Sequence, residues 1–97
     1  MLFAVTNIDK PNSLELRQAT RPTHLAYLQF IVSKIYMAGP VLDAQGNPKG
    51  SLLILEAADE EEVRALAAGD PYAQAGLFES VTIMPYRATF EKYKQIG

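Results

Sequence analysis

The chain has 97 residues, of which 48% are hydrophobic, and it carries 9 basic and 11 acidic side chains, one histidine and no cysteine. This length predicts a single domain with one core. The net charge of -2 gives no general attraction to nucleic acid or anionic membranes, and the lack of cysteine excludes disulfides, thiolate metal sites and a cysteine nucleophile.

Apolar segments with strand or helix periodicity alternate with short polar turns along the chain. In chain order they predict a strand at 2–8, a helix at 13–20, a second helix from Thr23 to near Gly39, strands at 37–42 and 51–57, a helix between Asp59 and Gly69, a short helix between Asp70 and Gly76, and a last strand at 77–86. We predict a break between the first two helices because Pro22 cannot donate a backbone hydrogen bond inside a helix. The order βαββαβ predicts a ferredoxin-like α+β fold, an antiparallel sheet with helices on one face.

The strands are largely apolar on both sides, so the sheet face without helices is expected to be buried in a homodimer. The whole chain, 1–97, is then one domain, and its tail, about 87–97, has the aromatic residues to reach across that dimer. The first segment lacks the features of a signal peptide and no stretch has the ~18 apolar residues of a membrane span. We therefore expect a cytoplasmic protein that binds neither membranes nor nucleic acid.

The candidate chemistry centres on His24, which follows a proline at what is predicted to be a helix start. Its spacing from Leu28 and Ile31 places it on the inward face. A lone inward histidine commonly packs against a backbone carbonyl, and Asp70 before Pro71 is an ordinary helix cap. The two residues can also pair, because one carboxylate oxygen can accept a backbone N–H while the other accepts an imidazole N–H and so orients a general base.

Other side chains are candidates for ligand binding. Arg21, one turn before His24, is available to an anion, Ser51 starts a strand with a hydroxyl, and Tyr72 can line a pocket or simply pack. One histidine and no cysteine argue against a transition-metal site, and no phosphate-binding glycine loop is present, so no metal and no cofactor are expected. An RNA-recognition domain shares the element order, but the strand GSLLILEA lacks aromatic and basic residues for base stacking.

The chain resembles the YciI-like (YCII-related) family of small bacterial proteins in the segments RPTHLAYLQ (21–29), AGP (38–40), GS (50–51), EAADEEE (56–62) and DPYAQAGLFESVTIMPY (70–86). The opening strand and DKPNSLELRQATRP are similar to the stand-alone enterobacterial-type YciI proteins in particular. The resemblance covers nearly the whole chain, to about Phe90.

This resemblance implies a ferredoxin-like fold that pairs through its sheets as a dimeric α/β barrel, akin to muconolactone isomerase. It implies an active site on His24 and Asp70, with the family's serine on Ser51 and its arginine on Arg21; Pro40 and Tyr72, in the AGP and DPY segments, are further expected substrate contacts. The associated activity is elimination of chloride from a chlorinated hydroquinone. The chain departs from the family in FIVSKIYMAGP and in a short DAQGNPKG loop, so the substrate does not carry over.

Two hypotheses from different classes follow. In the first, the protein is a cofactor-independent lyase or isomerase in which His24 removes a proton from a hydroxylated or carbonyl ring compound, Asp70 orients it, and Arg21 or Ser51 holds the developing anion. In the second, it is a dimeric small-molecule-binding or accessory protein whose histidine and aspartate are structural. The residues alone leave both open.

Overall fold

A computed structural model describes all 97 residues. The helices and strands are, in chain order, β1 (Leu2–Asp9), α1 (Leu14–Phe30), β2 (Ile35–Leu42), β3 (Pro48–Glu56), α2 (Glu60–Ala68), α3 (Pro71–Gln74), β4 (Phe78–Tyr86), β5 (Phe90–Glu91) and β6 (Lys94–Gln95), with a 3₁₀ turn at Val32–Lys34.

The first four strands form one antiparallel sheet in the order β2-β3-β1-β4. This order, with the helices between the strands, confirms the α+β ferredoxin-like prediction. The sheet of a single chain is open and does not close into a barrel. A dimeric α/β barrel would need a second chain, and its formation stays a prediction.

The core lies between the sheet and the helices. Phe3 and Val5 on β1 and Leu53 and Leu55 on β3 point to the helices at every second position, and they pack with Val63 on α2. All five are at most 5% exposed, and each such side chain contributes about 1.5–3 kcal/mol when fully buried. This core fixes the face of the sheet on which the helices lie. Ile54, which points to the opposite face, is 6% exposed.

Helix α1 differs from its prediction in two respects, the break at Pro22 and the C-terminal end. It runs unbroken through Pro22, which is exposed, so the ring lies toward solvent and only one exposed helix hydrogen bond is lost. It ends at Phe30, not near Gly39, and β2 begins at Ile35. β-Branched residues that continue the helical spacing also favour a strand, and Ile35 here begins one.

The two shorter helices begin as their caps predict. The Asp59 side chain accepts a hydrogen bond from the backbone N–H of Glu62 at 2.9 Å, and the Glu62 side chain accepts one from Ala58 at 3.1 Å, close to a capping box. Asp70 caps α3 in the same way. The Asp70 cap fixes the start of α3, which carries Tyr72.

The sheet face away from the helices carries exposed apolar side chains, which are Ile8, Met37, Leu52, Met84 and Tyr86. The tail after β4 forms a small hairpin of β5 and β6, and Glu91 accepts a hydrogen bond from the Tyr36 hydroxyl. Within one chain the tail therefore contacts the edge strand β2. Its predicted role across a dimer is not tested by these contacts.

Candidate active site

Six residues of α1 line one cavity, and four of them share one face of the helix. Arg17, Arg21, His24 and Leu28 follow one another at spacings of four, three and four residues, which places them in a row, and all four line the cavity. Arg17 and His24 are the two buried residues of α1. His24 lies in the middle of the helix and not in its first turn, so it is remote from the helix N-terminus where the sequence placed it.

His24 and Asp70 are joined by a hydrogen bond of 2.8 Å between Nδ1 and Oδ1. Because an ionised carboxylate can only accept, it selects the tautomer with the proton on Nδ1, and in a neutral imidazole of that form Nε2 is the acceptor. Nε2 has no partner in the protein and is not among the fully buried polar atoms, so it faces the cavity. The pair is 46 residues apart in the chain and comes together because α3 packs against α1.

The carboxylate of Asp70 combines its two predicted roles in one atom. Oδ1 accepts both the His24 hydrogen bond and the backbone N–H of Tyr72, at 2.9 Å. The sequence predicted one oxygen for each role; the structure uses the same oxygen for both. The cap thereby fixes the carboxylate that holds the imidazole.

Tyr72 forms the wall beside the imidazole. Its ring stacks on that of His24 with the centroids 3.9 Å apart and the planes at 15°, and the Arg17 guanidinium carbon lies 4.5 Å from the tyrosine ring centre. The side chain is 1% exposed. Burial raises the pKa of the Tyr72 hydroxyl above 10.0, while the charge of Arg17, a hydrogen bond from Arg17 and the charge of Arg21 oppose that rise.

Arg17 connects the helix to the sheet below the cavity. Its Nε donates to Asp9 at 2.8 Å, and its Nη2 donates to the Gly50 carbonyl at 2.7 Å and to the Ser51 hydroxyl at 2.6 Å. The side chains of Arg17 and Asp9 are each 6% exposed. Such a buried pair is specific in its geometry, because the fork of the guanidinium satisfies several acceptors at once.

The cavity has a volume of about 230 Å³ and combines an apolar wall with a polar end. The apolar wall is formed by Leu25, Leu28, Ala38, Pro40 and Leu53; the polar end by Arg17, Arg21, His24, Ser51 and Tyr72. Pockets for drug-sized ligands usually have ~300–1,000 Å³. This smaller space suits a compound with one ring.

The structure brings the predicted site residues together. Arg21, His24, Pro40, Ser51 and Tyr72 all line the cavity, and Asp70 lies behind His24. Arg21 is exposed at the mouth and has no acidic partner, whereas the Ser51 hydroxyl is held by Arg17. No group of three or more histidine, cysteine or acidic side chains is placed to hold a metal ion.

The sequence reasoning missed Arg17. The signal was present, because Arg17 lies one turn before Arg21 on the same helix face. The predicted break at Pro22 put the two arginines in separate helices, which hid their common face. A helix continued through the proline would have placed Arg17 in the same row as His24.

The amino-acid sequence is similar to a known family of proteins and to several of its members. The model of the YCII-related domain matches residues 1–87. Protein YciI of Escherichia coli O6:H1 is 36% identical over 98 aligned positions, which cover 93% of this chain and 100% of that protein. A Haemophilus influenzae protein is 32% identical over 99 positions with the same coverage.

Two solved structures are similar in fold. The 5-chloro-2-hydroxyhydroquinone dehydrochlorinase TftG of Burkholderia phenoliruptrix AC1100, in complex with 2,5-dihydroxybenzoquinone, has a TM-score of 0.85 and 36% identity, and the match covers 90% of this chain and 94% of that one. An antibiotic biosynthesis monooxygenase has a TM-score of 0.54 at 12% identity, covering 91% of this chain and 100% of that one. The second likeness concerns the fold alone.

None of the helices here is long and apolar enough to cross a membrane.

Proposed function

Because the chain belongs to the YCII-related family, we propose that it is a small-molecule lyase or isomerase in which His24 acts as general base on a hydroxylated or carbonyl ring compound. One observation carries the proposal: Nδ1 of His24 donates to Asp70 at 2.8 Å while Nε2 is open to a one-ring cavity. A base needs a free acceptor nitrogen at the substrate, and a carboxylate behind it stabilises the imidazolium that forms.

The other residues of the cavity have supporting roles in this proposal. Asp70 orients the imidazole. Arg21, which has no acidic partner, attracts an anionic or ionisable substrate to the mouth, and Ser51 offers its hydroxyl to the bound ring. The similarity to TftG, whose structure holds 2,5-dihydroxybenzoquinone, supports oxygen-substituted rings as the substrate class, with elimination of chloride or migration of a double bond as the reaction.

The test is a panel of ring compounds that includes 5-chloro-2-hydroxyhydroquinone and several lactones, with chloride release and absorbance as readouts. We expect turnover by the wild type. His24→Gln should lower kcat by about 10²–10⁴-fold, the usual contribution of a general base. The same variant should keep its affinity for 2,5-dihydroxybenzoquinone within a few-fold, because the apolar wall is intact.

Two outcomes would contradict the proposal. One is turnover that does not depend on His24. The other is binding of 2,5-dihydroxybenzoquinone without turnover of any compound in the panel, which would identify a binding or accessory protein. Asp70→Asn, which keeps a side-chain oxygen for the cap, separates the role of the negative charge from that of the helix cap.

We also propose that two copies pair through the open face of the sheet. The support is the exposed apolar set on that face, with Met84 56% and Leu52 38% exposed, since a small domain gains burial by association. Light scattering should report a dimer for the wild type and a monomer for Leu52→Arg combined with Met84→Arg. Val32→Arg, an exposed apolar residue outside the sheet, is the matched control and should remain dimeric.

A further inference from the structure

Proton removal by His24 leaves negative charge on a substrate oxygen, and two groups of the cavity have an N–H or O–H bond without an acceptor in the protein. These are Nη1 of Arg17 and the hydroxyl of Tyr72, whose oxygen lies close enough to the Arg17 guanidinium for a hydrogen bond that lowers its pKa. The only fully buried side-chain polar atoms without a partner are oxygens of Asn7 and Asp9. The two donors therefore keep contact with the cavity, although their residues are only 5% and 1% exposed.

The first donor is held in a fixed direction. Three hydrogen bonds from Nε and Nη2 anchor the Arg17 guanidinium to Asp9, Gly50 and Ser51, and the planar group then fixes where Nη1 points. Asp9 offsets the charge from below. Arg17 is thus a preorganised donor, unlike Arg21, which lies exposed at the mouth and has no acidic partner.

The second donor is fixed by the same residues that build the base. The Tyr72 ring stacks on His24, and its backbone N–H donates to the Asp70 oxygen that also holds His24. Burial raises the pKa of its hydroxyl above 10.0 against the opposing charge of Arg17, a hydrogen bond from Arg17 and the charge of Arg21. The hydroxyl therefore keeps its proton at neutral pH and is able to donate it in a hydrogen bond.

We propose that Nη1 of Arg17 and the hydroxyl of Tyr72 form an oxyanion-binding site beside His24, an inference that rests on the function proposed above. His24 Nε2 takes a proton from a substrate C–H or O–H bond. The electron pair of that bond stays in the substrate and moves onto an oxygen, which accepts the two hydrogen bonds. No atom passes to Arg17 or Tyr72, and the proton resides on His24.

This site defines the substrate class more narrowly. The reacting bond must be conjugated with a ring oxygen, as in a phenol, an enol or an unsaturated lactone, because only then can the charge reach the two donors. Preorganised donors of this kind favour the transition state over the ground state. Tyr72 is accordingly a catalytic residue in this proposal and more than a wall of the cavity.

The test uses 4-nitrophenol, whose ionisation is read from the absorbance of its phenolate, and does not require turnover. Bound to the wild type, the probe should have an apparent pKa lower by about one unit or more, which is a tenfold preference for the phenolate. Tyr72→Phe keeps the ring and the stack, removes no charge, and should abolish at least half of the shift. Tyr93→Phe, which alters a fully exposed tail residue, should leave the shift unchanged.

Arg17→Lys provides a second variant, since it keeps the charge and loses the fork geometry; the shift should be smaller than in the wild type. An unshifted probe, a probe that does not bind, or a shift equal in the wild type and Tyr72→Phe would each overturn the proposal. Ring turnover with an unshifted probe would leave the general-base function standing without this oxyanion site. A shifted probe without turnover would support the oxyanion site and reject the proposed function.

Discussion

Replacement of Arg17 by methionine tests whether the buried ion pair below the cavity holds helix and sheet together. The substitution removes the 2.8 Å ion pair with Asp9 and the hydrogen bonds to Gly50 and Ser51, while a side chain of similar length still fills the space. It also leaves Asp9 buried without a cation. Loss of one partner of a buried pair costs about 3–5 kcal/mol, which is a large part of the ~5–15 kcal/mol that stabilises a domain.

The assay is urea denaturation followed by circular dichroism, with a double-mutant cycle as the control. In Arg17→Met with Asp9→Asn the uncompensated charge is gone, so the double variant should be more stable than Arg17→Met alone, with a coupling energy on the order of 2–3 kcal/mol. A loss below ~1 kcal/mol in the single variant would refute the reasoning. So would a double variant in which the two losses simply add.

Three further predictions test the packing around the site. Gly50→Ala brings a Cβ into collision with the backbone oxygen of Asn7 on β1 and should lower the free energy of unfolding by about 1–3 kcal/mol. Gly39→Ala, whose Cβ meets nothing within 4 Å, should change that free energy by less than ~0.5 kcal/mol. Equal effects of the two variants in urea denaturation would contradict the packing. Pro22→Ala restores a helix hydrogen bond and should raise the same free energy by ~1–3 kcal/mol, whereas a decrease would mean that the proline ring is itself required. Burial raises the pKa of Tyr27 and Tyr72 above 10.0, so the folded protein holds these two protons more tightly than the unfolded chain. The free energy of unfolding should therefore fall as the pH rises past about 10. A tyrosinate absorbance titration in which all five tyrosines ionise together would argue against this.

The parts of the fold that could be predicted from the sequence are those with local causes. The strands β1 and β3, rich in β-branched and apolar residues, and the caps at Asp59 and Asp70 each involve residues within a few positions of one another. The inward direction of His24 followed in the same way from helical spacing. The pairing of His24 with Asp70 was open in the sequence, because caps and packed histidines are common separately.

The remaining features depend on contacts that are distant in the chain. Proline inside a helix costs about 3 kcal/mol, and the packing of Arg17 and His24 on both sides of Pro22 outweighs it only once the sheet is present. The predicted end of α1 near Gly39 was wrong for a related reason. Ile31 and Ile35 satisfy helical spacing, but β-branched residues also favour strands, and pairing of Ile35 with Leu55 on β3 decides the outcome.

The order of the strands has a consequence for synthesis of the protein. Strand β1 leaves the ribosome first, yet Leu2 pairs with Glu56 on one edge and with Tyr86 on the other. One edge of strand β1 therefore stays open until β4 has been translated. Contacts so distant in sequence form slowly, and an unpaired strand edge invites aggregation. A nascent chain that stalls before residue 78 would present this open edge to chaperones and to other nascent chains.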